Sequence, residues 1–146
     1  VQENLSINEL LRNIQSGLKI YSSQELIGQI NETVKNLLDK KEQKRKYINY
    51  ALEIVSEEYN IPVRVIINSK LRGKHQECRV MVYCLLHNEL GLPSRYIAQR
   101  VFDKWHKSVN DGLKYFRTLN VAIKEHKNFS DTYVKLKEKL IQKIKS

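Results

Sequence analysis

The sequence predicts an all-α fold: a helical bundle containing a helix-turn-helix, with further helices flanking it on both sides. Three observations carry this. Apolar residues recur at three- and four-residue spacing through most of the 146 residues. The one β-prone run, Val63 to Ile67, has no partner strand elsewhere, so a short buried helix or an extended connector is expected there. Leu92 to Leu119 sets two helical periods on either side of a short turn, the spacing of helices that pack steeply and present the second one outward.

The elements follow in order. Ser6 and Glu9 fit a capping box, Ile7, Leu10, Leu11 and Ile14 form the stripe behind it, and Gly17 is a helix stop. A second helix starts near Ser22 or Ser23, with Leu26, Ile27, Ile30, Val34, Leu37 and Leu38 on one face. The charged run 39–46 reads as a solvated helix end or linker and as a domain boundary. A third helix covers about 45–59, with Ile48, Leu52 and Val55 inward; Asn60 and Pro62 end it. A fourth runs from about 75 to 90, with Cys78, Met81, Val82, Leu85 and Leu86 inward, and Gly91 stops it. Pro93 and Ser94 open the next helix, whose Ile97 and Val101 face inward. The turn is Phe102 to Trp105, and the helix after it buries Val109, Leu113 and Phe116. Asn128 to Asp131 is expected to be a loop and cap. A last amphipathic helix carries Tyr133, Leu136, Leu140, Ile141 and Ile144. The expected organisation is therefore a helical extension over 1–44, a recognition domain over 45–127 and a C-terminal helix over 128–146.

This length supports one domain core with an extension. No apolar run approaches the ~20 residues of a membrane helix. The N-terminus has neither the basic start nor the apolar core of a signal peptide, so a cytoplasmic protein is expected, with no membrane partner.

The net charge of +10 is unevenly placed. Residues 1–44 carry six basic and six acidic side chains and cancel, whereas residues 69–127 carry twelve Lys/Arg against five Asp/Glu. A local surplus of this kind suits a polyanion, because each cation set on a phosphate releases a condensed counterion. If Val109, Leu113 and Phe116 are buried, the opposite arc exposes Lys107, Asn110, Lys114 and Arg117. Asn and Lys in the first turn suit base edges, and Lys114 and Arg117 suit phosphates. An ordinary helical hairpin with a polar outer face has the same spacing.

Residues 47–118 resemble the C-terminal DNA-binding domain of the bacterial replication initiator DnaA, of the Trp-repressor-like class. The segment YINYALEIVSEEYNIP resembles that family's opening helix and turn. SKLRGKHQECR, from Ser69, is similar to its basic loop. Leu85 to Leu90 matches its Leu-Leu-x-x-Glu-Leu helix end, and LPSRYIA loosely matches the helix that follows. The family's signature segment falls on Phe102 to Val109. There Lys104 takes the Arg position, His106 the His, Ser108 the second Thr and Val109 the Val. Trp105 replaces the Asp and Lys107 the first Thr, so a different preferred DNA sequence is expected; Phe102 and Asp103 replace a Gly pair, so the turn is expected to differ.

The resemblance implies double-stranded DNA as partner. Lys70, Arg72 and Lys74 would grip phosphates or a minor groove. Lys104, Trp105, His106, Lys107 and Ser108 would enter the major groove, with Trp105 also able simply to cap the core. It places the chain in replication initiation or its regulation, nucleoid-associated; transcription regulation and protein or RNA interaction on the same scaffold are the alternatives. The flanking helices would complete the core or form a homodimer.

No enzyme chemistry is expected. The lone Gly73-Lys74 pair lacks a P-loop's upstream Gly, so no nucleotide is expected, and four scattered histidines make no catalytic set. His75, Cys78, Cys84 and His87 look like a zinc set, but Cys78 and Cys84 stand six residues apart on one helix, roughly 120° around it at ~100° per residue. One tetrahedral ion cannot easily collect all four, so no metal or other cofactor is expected and the cysteines read as buried thiols.

Overall fold

The computed structural model describes Glu9, residues 23–104 and residues 106–146. The described residues are all-α, without a strand: α1 Ser23–Tyr59, α2 Val63–Asn68, α3 Lys74–Cys84, α4 Ser94–Tyr96, α5 His106–Arg117 and α6 Lys124–Lys145. α3 runs on as a π-helical turn, Leu85–Glu89, and α4 as another, Ile97–Val101. The capping box expected at Ser6 and the stripe behind it lie outside the described residues, as does Trp105. No helix among the described residues is long and apolar enough to cross a membrane.

The chain divides into two compact units, residues 1–46 and 47–146. The break expected in the charged run 39–46 is not a break in the helix, because α1 is continuous through it. Lys, Glu, Gln and Arg are strong helix formers, and a segment that stays exposed needs no apolar face to remain helical.

The second unit holds the core. Ile48, Leu52 and Val55 of α1 are buried, as the three- and four-residue spacing predicts. α1 ends at Asn60, whose φ of +53° leaves the helical region, and Pro62 opens the next turn. The β-prone run forms α2, a helix of six residues with Ile66 fully buried; among the described residues there is no strand to complete a ladder with it. Met81, Val82, Leu85 and Leu86 of α3 and its π-turn form the centre, and Ile97, Val109 and Leu113 close on them. Val101 and Phe116, expected inward, are partly buried at the edge of this core.

The loop expected at 128–131 is a correction: those residues are helical, inside α6. Phe129 is 2% exposed and meets the Tyr115 ring edge-on at 5.4 Å, so burial holds the segment in the helix. The connection lies earlier, at Thr118 to Ile123. There the Ala122 amide donates to Asn120 Oδ1 and the Asn120 amide donates to His126 Nδ1, each at 3.0 Å. The domain limit expected at 127/128 therefore falls inside one helix.

α6 is bound to the core by its apolar face, with Leu136 and Leu140 fully buried, and by charge along its flank. Lys135 and Lys139 face Glu58 at 2.9 and 3.9 Å, Lys143 faces Glu53 at 2.7 Å and Lys137 faces Glu89 at 3.6 Å.

Candidate nucleic-acid interface

The loop from Ser69 to Gly73 is held by two cations behind it. Arg79, in the middle of α3, is only 7% exposed. Its Nη1 donates to the Ser69 carbonyl at 2.9 Å and its Nη2 to the Leu71 carbonyl at 2.7 Å. Lys104, from the segment after α4, donates to the same Ser69 carbonyl at 3.1 Å. The Ser69 hydroxyl accepts from the Leu71 amide at 3.1 Å and lies 3.0 Å from His75 Nδ1. Gly73, at φ +73°, then turns the chain into α3. With its carbonyls bonded inward, the loop presents Lys70 and Arg72 to solvent. Lys74 is also exposed, with Nζ 3.4 Å from Glu77 and 5.8 Å from the centre of the Tyr59 ring.

Three positive charges crowd one point here. Partial burial, then Arg79 and Lys70, hold the Lys104 ammonium below the ordinary lysine range. Lys104, expected in a DNA groove, is half-buried with its ammonium engaged on the loop backbone.

The second part of the interface is α5. Its inward face is Val109, Gly112 and Leu113; His106, Lys107, Ser108, Asn110, Lys114 and Arg117 are all exposed. A Cβ at Gly112 would stand 2.9 Å from Tyr83 Cδ2, so α5 approaches α3 as closely as a glycine allows. The Tyr83 ring in turn meets Phe102 edge-on at 4.8 Å. Phe102 is 2% exposed, and Asp103 after it takes φ +49°. Aromatic contact therefore fixes the chain just ahead of α5.

Between α3 and α5 runs an open groove of about 810 Å³, with Lys70, Lys104 and Ser108 on its lining. The structure brings these three expected residues together. Arg72, Lys107, Asn110, Lys114 and Arg117 are not part of that lining. Glu77, Asp103 and Asp111 also line it, so the groove itself is mixed in charge.

Sequence reasoning missed Arg79, whose signal was a lone Arg inside an apolar helix face. It also passed over Arg95 and Arg100, exposed on α4 and its π-turn. Among the described residues, Lys70, Arg72, Arg95, Arg100, Lys107, Lys114 and Arg117 form no ion pair with a carboxylate. Lys135, Lys137, Lys139 and Lys143 of α6, each facing a glutamate, contrast with them.

Cys78 and Cys84 are free, fully buried thiols, each pushed up to about 12 by burial. His87 Nδ1 donates to the Leu92 carbonyl at 2.8 Å, so the histidines flanking these thiols are engaged with loop atoms. No family model, no curated protein and no solved structure matches this chain.

Proposed function

We propose that residues 47–146 bind double-stranded DNA in a sequence-dependent way, with α4 and its π-turn, the connection that follows them from Phe102, and α5 acting as a helix-turn-helix. The observation that carries this reading is a set of exposed cations on the loop, α4 and α5 that make no ion pair among the described residues. The carboxylates Glu53, Glu58 and Glu89 neutralise lysines of α6, while Lys70, Arg72 and the cations of α4 and α5 are left without a carboxylate. Unpaired Lys and Arg on neighbouring elements give phosphate oxygens somewhere to sit.

The division of labour follows from placement. Lys70 and Arg72 stand on a loop whose backbone is already fixed by Arg79 and Lys104, so binding orders little chain. They set the register on the sugar-phosphate backbone. Lys107 and Asn110, in the first turns of α5, are exposed and carry donors that match purine edges. Lys114 and Arg117 extend the grip on phosphates. The resemblance of residues 47–118 to an initiator's recognition domain directs the reading to replication origins or their regulation, with a preferred sequence of its own.

The test is selection from a random duplex pool, followed by titration at two salt concentrations. A consensus sequence is expected, and Lys107→Ala is expected to abolish it. Lys70→Ala and Arg72→Ala are expected to weaken all duplexes alike. Each should also flatten the logarithmic salt dependence by ~0.9, the share of one neutralised phosphate. Binding that is blind to sequence and disappears with salt, or binding to RNA alone, overturns the proposal.

A further inference from the structure

One apolar side chain stands in the middle of the basic loop. Leu71 is 63% exposed and lies between Lys70 and Arg72, both also exposed. Its backbone is tied on both sides. The Leu71 amide donates to Ser69 Oγ at 3.1 Å, and its carbonyl accepts from Arg79 Nη2 at 2.7 Å. Arg79 is buried, so the second tie runs directly into the core. A lone exposed leucine on a helix face is ordinary. Leu71 differs because the fold holds it out on a fixed backbone. Those two bonds use only the amide and the carbonyl, which any polar residue at this position would also supply.

We infer that Leu71 is an apolar wedge, which enters the minor groove of bound duplex DNA, partly unstacks one base step there and bends the helix axis. The inference deepens the reading of residues 47–146 as a DNA-binding unit and rests on it. A phosphate backbone offers nothing that an exposed leucine gains by covering, whereas base faces do once a step is opened. Cations on either side suit such a site, because a narrow minor groove concentrates negative potential. Lys70 and Arg72 supply them.

Placement leads to the minor groove. Lys104, just ahead of the start of α5 at His106, holds the Ser69 carbonyl at 3.1 Å, so the loop stands beside the N-terminal end of α5. With α5 in the major groove, ~12 Å wide, the groove across the adjoining sugar-phosphate strand is the minor one, ~6 Å wide. Lys70 and Arg72 set on that strand bring Leu71 to its edge. The thymine methyl, the other apolar feature of duplex DNA, faces the major groove and so lies on the side of α5.

Unstacking is easiest at pyrimidine–purine steps such as TA and CA/TG, which kink readily. The wedge loses little freedom on entering, because Arg79 and Lys104 already order its loop. Leu71 is therefore a specificity residue that makes no hydrogen bond to a base. It selects a flexible step at a fixed distance from the bases that α5 reads.

Selection from a random duplex pool by the full chain is expected to return bases read by α5 and a flexible step beside them. Leu71→Ala is expected to lose only the step. Bending is read by energy transfer between dyes at the two ends of a ~30 base-pair duplex, well under one persistence length. The wild-type chain should bend it by at least ~20°, the low end for apolar wedges. Leu71→Ala should leave it nearly straight and bind about tenfold more weakly, with an unchanged melting point because the side chain is exposed. Leu71→Met, which keeps a long apolar side chain, should restore both bend and affinity. A chain that selects a consensus yet leaves the duplex straight overturns the wedge and leaves the DNA-binding reading standing. So does a Leu71→Ala variant that bends DNA as the wild type does. A chain that binds no duplex overturns both. Leu71-dependent binding to phosphatidylglycerol vesicles, with the duplex left straight, assigns the side chain to a lipid surface and overturns the wedge.

Discussion

The Lys104 ammonium and the Ser69 carbonyl lie 3.1 Å apart across 35 residues of sequence. This bond links the segment ahead of α5 to the basic loop, and Arg79 joins both on the same oxygen. The two expected contact regions are thus one mechanical unit, with a buried guanidinium as its hub.

Replacing that hub has a specific consequence. Arg79→Met keeps much of the side chain's volume but leaves the Leu71 carbonyl without its charged donor and the Ser69 carbonyl with Lys104 alone. Hydrogen bonds to a charged group contribute ~1.5–3 kcal/mol, so the variant is expected to lose about 2 kcal/mol of stability in urea denaturation. Amide exchange should quicken selectively at Leu71 to Gly73. Affinity for duplex DNA should fall while the selected sequence stays the same, because no base contact is removed. Unchanged exchange in the loop is the result that contradicts this role.

Gly112 supports a second prediction. A methyl group there meets Tyr83 at 2.9 Å and Val80 Cγ2 at 3.4 Å, and Tyr83 cannot retreat freely because Phe102 packs against its ring. Gly112→Ala gains about 1 kcal/mol of helix propensity and meets an overpacking cost of ~1–3 kcal/mol. The net expectation is a loss of up to about 2 kcal/mol, seen as a melting point lower by several degrees. Tyr83→Leu in the same chain should restore most of it, since the obstructing ring is gone.

The periodic core was legible in the sequence, because burial on one helix face repeats whatever the helix packs against. Ile48, Leu52, Val55, Val109 and Leu113 are buried for that reason. At Val63 the lack of a partner strand argued against a strand and left a short helix or an extended connector, and the structure has the helix. What failed was local chemistry overridden by packing. Asn128 to Asp131 has the composition of a loop and cap, yet Phe129 draws the segment into α6. The two π-turns bury Leu85, Leu86 and Ile97, and no short-range signal marks them. At the candidate interface, exposure of the outer arc of α5 was readable from its inner arc. The roles of Arg79 and Lys104 were not, since an isolated cation gives no hint that it will turn inward to a carbonyl.

The paired and unpaired lysines supply a control that tests charge placement against net charge. Lys143→Ala and Lys107→Ala each remove one positive charge. Lys143 Nζ sits 2.7 Å from Glu53, and that partner holds its ammonium above the ordinary lysine range. Its removal should leave DNA affinity within about twofold and alter stability by less than ~1 kcal/mol, the usual worth of an exposed pair. Lys107→Ala should weaken the preferred duplex by the ~1–3 kcal/mol of a base contact. Equal effects from the two, measured by fluorescence anisotropy at one salt concentration, would reduce the interface to bulk charge.

The two cysteines provide the last prediction, through their protons. Burial raises both thiols from 9.0 to about 12, with Glu77 adding to the shift at Cys78. A thiol whose folded pKa exceeds its unfolded value favours the folded state fully below the unfolded pKa. That contribution is lost as pH rises through the folded one, so stability should decline between about pH 9 and 12. The thiolate is the nucleophile, so native protein at pH 8 should react with a thiol reagent at least a hundredfold more slowly than unfolded protein. Both thiols should appear together on denaturation. Rapid labelling of either one in the folded protein would contradict a buried, protonated pair, and the Cys78→Ala and Cys84→Ala variants identify which side chain had opened.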